Sequence, residues 1–193
     1  MKDIITNHLT EHQETLQGIG DKHIDTLIKI ADSIIECYKN DKKVVLFGNG
    51  GSAADAQHIA AELVGRYIME RRSLPAIALN VNTSVLTAIA NDYHYDRVFE
   101  RQIEGLVNPG DVIIGISTSG NSENVIRGIL KAKEKEALTI ALTGRDGGKL
   151  KEIVHVSFNA PSDKTPRIQE VHITVGHIIC ELVERTLFGD NNA

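Results

Sequence analysis

Val44-Val45-Leu46-Phe47, running into Gly48-Asn49-Gly50-Gly51-Ser52, joins a short apolar segment to a glycine-rich polar turn. Four apolar residues closed by such a turn read as a buried strand. The candidate helix over residues 53–66 completes a strand-turn-helix unit. The pattern recurs. Candidate strands lie at 44–47, 76–80, 112–117, 138–142 and 154–158, and candidate helices at 53–66, 84–91, 96–107, 122–135 and 167–187. Strands linked by helices favour a parallel sheet covered on both faces, because right-handed crossovers return successive strands in one direction. Pro109-Gly110 marks a turn before the third strand, and Gly144 with Gly147-Gly148 marks a break before the fifth.

The chain has 193 residues, the length of one domain with a well-buried core, so 1–193 is read as a single unit. It divides into a helical segment, 1–40, and an α/β core, 42–188. In the helical segment Leu9, Leu16, Ile24, Leu27, Ile28, Ile34 and Ile35 stand among polar residues at helical spacings. They predict two amphipathic helices broken near Gly18-Ile19-Gly20. Their apolar faces can cover the core or pack against another subunit. The formal charge of -5 gives no broad attraction for nucleic acid or an anionic membrane, while small anionic substrates remain allowed. Cys37 and Cys180 form neither a disulfide framework nor a short metal-binding pair and read as reduced thiols. No stretch approaches the length of a membrane span and the amino terminus has no apolar signal core, so a cytoplasmic location is expected.

Two turns follow candidate strands. In the first, Gly50 and Gly51 allow close approach of a ligand, Ser52 is positioned to cap the following helix, and the backbone amides can face phosphate. The turn lacks the lysine of a P-loop and the wider glycine spacing of a dinucleotide fingerprint. A plain tight turn stays open as the alternative. The second, Ser117-Thr118-Ser119-Gly120-Asn121-Ser122, gathers four hydroxyls beside a helix start. Hydroxyls and free helix amides can surround a phosphate without a cationic side chain. Both turns sit at the carboxyl ends of candidate parallel strands, where open α/β sheets bind ligands.

His58 and Glu62 are four residues apart and project from one side of a helix. They can supply two metal ligands, or a base held beside an acid; a solvated pair is the plain alternative. Gln169 and His177 share the last helix but lie eight residues apart, about 12 Å along its axis, so spacing leaves their convergence open.

The combination of Gly48-Asn49-Gly50-Gly51-Ser52, His58, Glu62 and Arg66 with Ser117-Thr118-Ser119-Gly120-Asn121-Ser122 and Arg167-Ile168-Gln169-Glu170-Val171-His172 closely resembles the phosphoheptose isomerases of the sugar isomerase (SIS) superfamily. The resemblance covers nearly the whole chain. It implies an α/β fold, a flavodoxin-like three-layer sandwich with a five-stranded parallel sheet and amino-terminal helices, assembled as a homotetramer. The implied reaction converts sedoheptulose 7-phosphate into D-glycero-D-manno-heptose 7-phosphate through an enediol, at the entry to bacterial heptose synthesis. Implied substrate contacts are Asn49, Gly50, Gly51, Ser52, Glu62, Arg66, Asn91, Asp92, Ser117, Thr118, Ser119, Ser122 and Gln169. Glu62 and His177 are the implied catalytic pair, and His58, Glu62, Gln169 and His177 an implied zinc set. His177 is also allowed to enter from a neighbouring chain. Pro166, before Arg167, departs from other members and marks the strand-to-helix transition. A related noncatalytic adaptor of the bacterial replication initiator, and a sugar-phosphate-sensing module, are the competing readings; Glu62 and His177 at the matching positions favour the enzyme.

Overall fold

The computed structural model describes residues 1–189. Two helices come first, α1 (Lys2–Gln17) and α2 (Asp21–Lys39), separated where Gly18-Ile19-Gly20 predicts a break. Then follow β1 (Val44–Gly48), α3 (Gly51–Val64), β2 (Ala76–Ala78), α4 (Thr83–Asp92), a 3-10 turn (Tyr95–Arg97), α5 (Val98–Leu106), β3 (Val112–Ile116) and α6 (Glu123–Glu134). The chain ends with β4 (Leu138–Gly144), α7 (Gly148–Ile153), β5 (Val156–Ala160) and α8 (Thr165–Phe188).

All four strand pairings are parallel, in the order β2-β1-β3-β4-β5. This is the flavodoxin-like order, and it reverses between β1 and β3. Period-2 alternation sends side chains to two cores. Val44, Leu46, Val112, Ile114, Ile116, Ile140 and Leu142 pack beneath α2, α3 and α8. Val45, Phe47, Ile113 and Ala141 face the opposite way, against α5, α6 and α7, with α4 at the margin. Three layers result because β1, β3 and β4 are buried on both faces. Lys43 Nζ donates to Asp111 Oδ2 (2.6 Å), and the Lys43 and Asn108 amides also donate to that carboxylate. This clasp joins the starts of β1 and β3.

Three differences from the sequence reading have local causes. α7 occupies a segment read only as a break; it is a six-residue helix entered through two glycines of positive φ. It occupies the segment that precedes β5, which therefore begins at Val156 instead of residue 154. α8 starts at Thr165, before the expected 167, because Pro166 sits in its first turn, where a missing N–H leaves nothing unpaired.

α2 buries Leu27, Ile30, Ala31, Ile34 and Ile35 in the core. α1 buries no residue, and Ile4 and Leu9 remain 61% and 62% exposed. Its contacts to α8 are polar: His12 Nδ1 pairs with Glu170 (2.7 Å), and Arg167 Nη1 donates to the His8 carbonyl (2.6 Å). Both cysteines are buried and free. Burial pushes the Cys37 thiol up to about 11 and that of Cys180 to about 12, which keeps both protonated and unreactive. Among the described residues no helix is long and apolar enough to cross a membrane.

Candidate active site

The strand order reverses between β1 and β3, so the loops that leave their carboxyl ends diverge and a crevice opens between them. A cleft of about 290 Å³ lies there, lined by Asn49, Gly50, Gly51 and Ser52 from the first loop and Ser117, Thr118 and Ser122 from the second, with Thr165 and Gln169 of α8. Gly50 is the N-cap of α3 with φ +56, a left-handed conformation that a side chain would strain. No side chain caps this helix. Ser52 was expected to do so, but α3 begins at Gly51, which puts Ser52 inside the first turn and buried. The Ser122 hydroxyl likewise does not cap α6; it lies 3.0 Å from the Ser117 hydroxyl. The first-turn amides of both helices thus meet no capping side chain, the arrangement that receives an anion.

The two loops are tied together at Asn49 by two residues, Asn124 and Tyr95, that the sequence patterns do not single out. Asn49 Nδ2 donates to Asn124 Oδ1 (2.9 Å), and Asn124 Nδ2 donates back to Asn49 Oδ1 (3.0 Å). Tyr95 Oη donates to the same Asn49 oxygen (3.1 Å). α7 supports the second loop from behind: the Leu150 amide donates to the Gly120 carbonyl (3.0 Å) and the Lys149 amide to Asn121 Oδ1 (3.1 Å).

The titratable cluster lies two turns farther along α3. His58 Nε2 is 3.1 Å from Glu62 Oε1, and His177 Nε2 is 3.4 Å from His58 Nε2. The ligand atoms of His58, Glu62 and His177 all lie within 4.8 Å of one another. Two imidazoles and a carboxylate converging on one point form a donor set suited to a metal ion. His177 reaches this cluster within its own chain because α3 and α8 run side by side in the same direction. The neighbouring His172 serves the core instead: it is fully buried, Nε2 donates to the Thr143 carbonyl (2.9 Å), and burial lowers its pKa to about 4.

The remaining residues singled out from the sequence lie outside the titratable cluster. Gln169 stands against the start of α3, where a Cβ on Gly51 would collide with its amide. It belongs to the cleft and is about 12 Å from His177 along α8. The Ser119 hydroxyl accepts from the Asn121 amide (3.2 Å) instead of lining the cleft. Asn91 and Asp92 bond to each other (2.9 Å), exposed at the end of α4. Arg66, exposed beyond α3, lies 3.8 Å from Glu70.

The carboxyl end of α3 is held by a buried ion pair. Arg71 donates to the carbonyls of Glu62 and Leu63 (both 2.8 Å), and its Nε donates to Glu184 Oε1 (3.0 Å). The two side chains are only 1% and 2% exposed. Glu184 also accepts the amides of Tyr67 (3.0 Å), Ile68 (2.7 Å) and Met69 (2.8 Å). Burial alone would raise its pKa, but these three amides and the Arg71 guanidinium outweigh burial and hold it below the ordinary carboxylate value.

A family model described as the SIS domain matches residues 7–144. The phosphoheptose isomerase of Aquifex aeolicus is 58% identical over 174 residues, covering 90% of this chain and 91% of that protein. A solved structure of phosphoheptose isomerase from Neisseria gonorrhoeae superposes with a TM-score of 0.90 at 42% identity, covering 95% of this chain and 98% of that one. One from Francisella tularensis superposes with a TM-score of 0.92 at 32% identity, covering 95% and 97%.

The Glu184 pair generates a pH prediction. A carboxyl whose folded pKa is depressed contributes stability above its unfolded value, about 4.3, and that contribution is lost as pH falls through the folded pKa. Glu184→Gln is expected to cost on the order of 3 kcal/mol at pH 7 by leaving the Arg71 charge buried without a partner. Urea unfolding measured from neutral pH down to about pH 3 should show a shallower acid loss in the variant than in the wild type. Parallel acid limbs would show that Glu184 is not the group responsible.

Proposed function

We infer the chemistry from one premise: this chain belongs to the phosphoheptose isomerase family of SIS-domain proteins. It is an aldose-ketose isomerase that converts D-sedoheptulose 7-phosphate into D-glycero-D-manno-heptose 7-phosphate, at the entry to heptose synthesis. The observation that carries this reading is the convergence of His58, Glu62 and His177 at one end of α3, with an anion-receptive cleft at the other.

In this reading the phosphate sits among Asn49, Gly50, Gly51, Ser52, Ser117, Thr118 and Ser122. The sugar then extends along α3 toward Glu62. From Gly51 to His58 the helix rises about 10 Å, a span suited to an extended seven-carbon chain and too long for a triose. Glu62 removes the C1 proton of the ketose to give a cis-enediol, and His177 carries the complementary proton transfer that completes the aldose. His58, Glu62 and His177 are the residues that would hold zinc, with Gln169 as a weaker oxygen donor nearer the cleft. Zinc, when bound, stabilises negative charge developing on the sugar's O1 and O2. Direct ligation by Glu62 would lower its basicity and compete with its task as base.

We assign a homotetrameric, cytoplasmic state to the working enzyme. Support comes from α1, whose Ile4, Ile5 and Leu9 are left exposed by the fold of one chain. Ser119, half-buried, and Arg66, Asn91 and Asp92, exposed, lie outside the cleft of their own chain, and in such an assembly residues of this kind can complete a neighbour's pocket. A sensing module or adaptor has no need of a base and an imidazole brought together, so the enzyme reading is preferred.

Incubation with sedoheptulose 7-phosphate should yield the aldose heptose 7-phosphate, separable by chromatography; no product from metal-replete protein would sink the assignment. Glu62→Gln is expected to lower kcat by at least about a hundredfold with substrate binding retained, and near-normal turnover would exclude it as the base. Chelation should remove one zinc per chain together with most activity, both restored by added zinc; full activity in metal-free protein would refute the requirement. Light scattering should report four chains per particle, and an active monomer would rule out the assembly.

A further inference from the structure

Acid-base work by His177 requires its ring to be held at one angle, yet among the described residues the hydrogen-bond partner of that ring is the His58 imidazole, itself exposed. A second contact supplies the orientation. The Tyr67 ring lies across the His177 ring at a centroid distance of 5.7 Å and an interplanar angle of 28°, while His58 meets His177 edge-on at 5.0 Å and 72°. Tyr67 is itself fixed from behind, since its backbone amide is one of the three that Glu184 accepts. Glu184 is held in turn by Arg71, which also grips the Glu62 carbonyl. One buried ion pair therefore braces both catalytic side chains: Glu62 directly through its backbone, and His177 through the face of Tyr67.

We propose that Tyr67 is a positioning residue for His177, acting through its aromatic face and not its hydroxyl, with the Arg71–Glu184 pair as the anchor that sets the ring in place. The proposal rests on the isomerase reading for its kinetic consequence, but its structural content stands apart from turnover. A rigid aromatic ring stacked on an imidazole restricts the tilt of that imidazole at little conformational cost, and small misplacements of a catalytic group slow the chemical step far more than they weaken binding.

Tyr67 is half-buried just beyond α3 and packs against the edge of the core, so Tyr67→Phe, which keeps the ring, is the control for lost packing. Tyr67→Leu should lower kcat about tenfold with KM held within about twofold, while Tyr67→Phe should restore kcat. Proton NMR of the His177 ring, assigned with His177→Gln, supplies a readout independent of catalysis. The part of the ring-current shift of its carbon-bound protons that comes from Tyr67 should persist in Tyr67→Phe and be lost in Tyr67→Leu, leaving that of His58. Wild-type kcat in Tyr67→Leu, or equal impairment of the two variants, would overturn the proposal. If the wild-type protein itself shows no turnover, the isomerase reading fails and the NMR decides alone: unchanged His177 signals in Tyr67→Leu would then overturn the positioning role.

Discussion

The arrangement of the molecule depends on the fixed hand of crossovers in a parallel sheet. From β1 the chain crosses to one side to form β2, then returns and passes β1 to lay down β3 on the other. Helices must therefore leave neighbouring strand ends toward opposite faces, α3 toward one core and α6 toward the other. No backbone bridges the gap between their starts. What spans it is a reciprocal pair of carboxamides, Asn49 and Asn124, which fixes the width of the crevice while the helix starts on both sides stay without a side-chain cap.

A helix leaving such a crevice carries two kinds of chemistry. Its amino end presents partial positive charge, which suits an anion even in a chain of net charge -5 whose cleft lining holds no cationic side chain. Its later turns present side chains, and α8 runs alongside to bring His177 against His58. The rise of α3 then fixes how far the anion site lies from the titratable cluster, and so the length of ligand that can engage both. Arg71 and Glu184 close the far end, where the helix would otherwise leave carbonyls unpaired.

Much of this was legible in the sequence, for identifiable reasons. Strands such as 112–116 are apolar on both faces and bounded by glycine, proline or hydroxyl-rich turns, so both their existence and their parallel pairing could be read. The loops were legible as turns because glycines and clustered hydroxyls break the apolar runs, while a plain tight turn stayed open beside the anion-binding reading of the first. α7 was not, since six residues carry too little periodicity and its two leading glycines read only as a break. Asn124, Tyr95, Arg71 and Glu184 were not legible either. Asn49 meets Asn124 across 75 residues and Tyr95 across 46, and Arg71 meets Glu184 across 113. Local pattern holds no trace of such pairings. The axial separation of Gln169 and His177 was available from helical rise alone, and the structure sets the Gln169 amide against Gly51 and the His177 ring against His58.

The clasp between Lys43 and Asp111 has a consequence in time. It closes a loop of 68 residues, and in this strand order β1 finds both of its partners only across intervening helices. Pairings of such range must overcome the entropy of loop closure before they yield any contact energy, which slows the folding of parallel sheets. Helices α3 and α6 can form locally beforehand, but the crevice between their starts exists only after β1 and β3 have met. Ligand competence therefore cannot precede that central pairing. A ligand that recognises the crevice binds only molecules in which that central pairing is complete, and by mass action draws the population toward them.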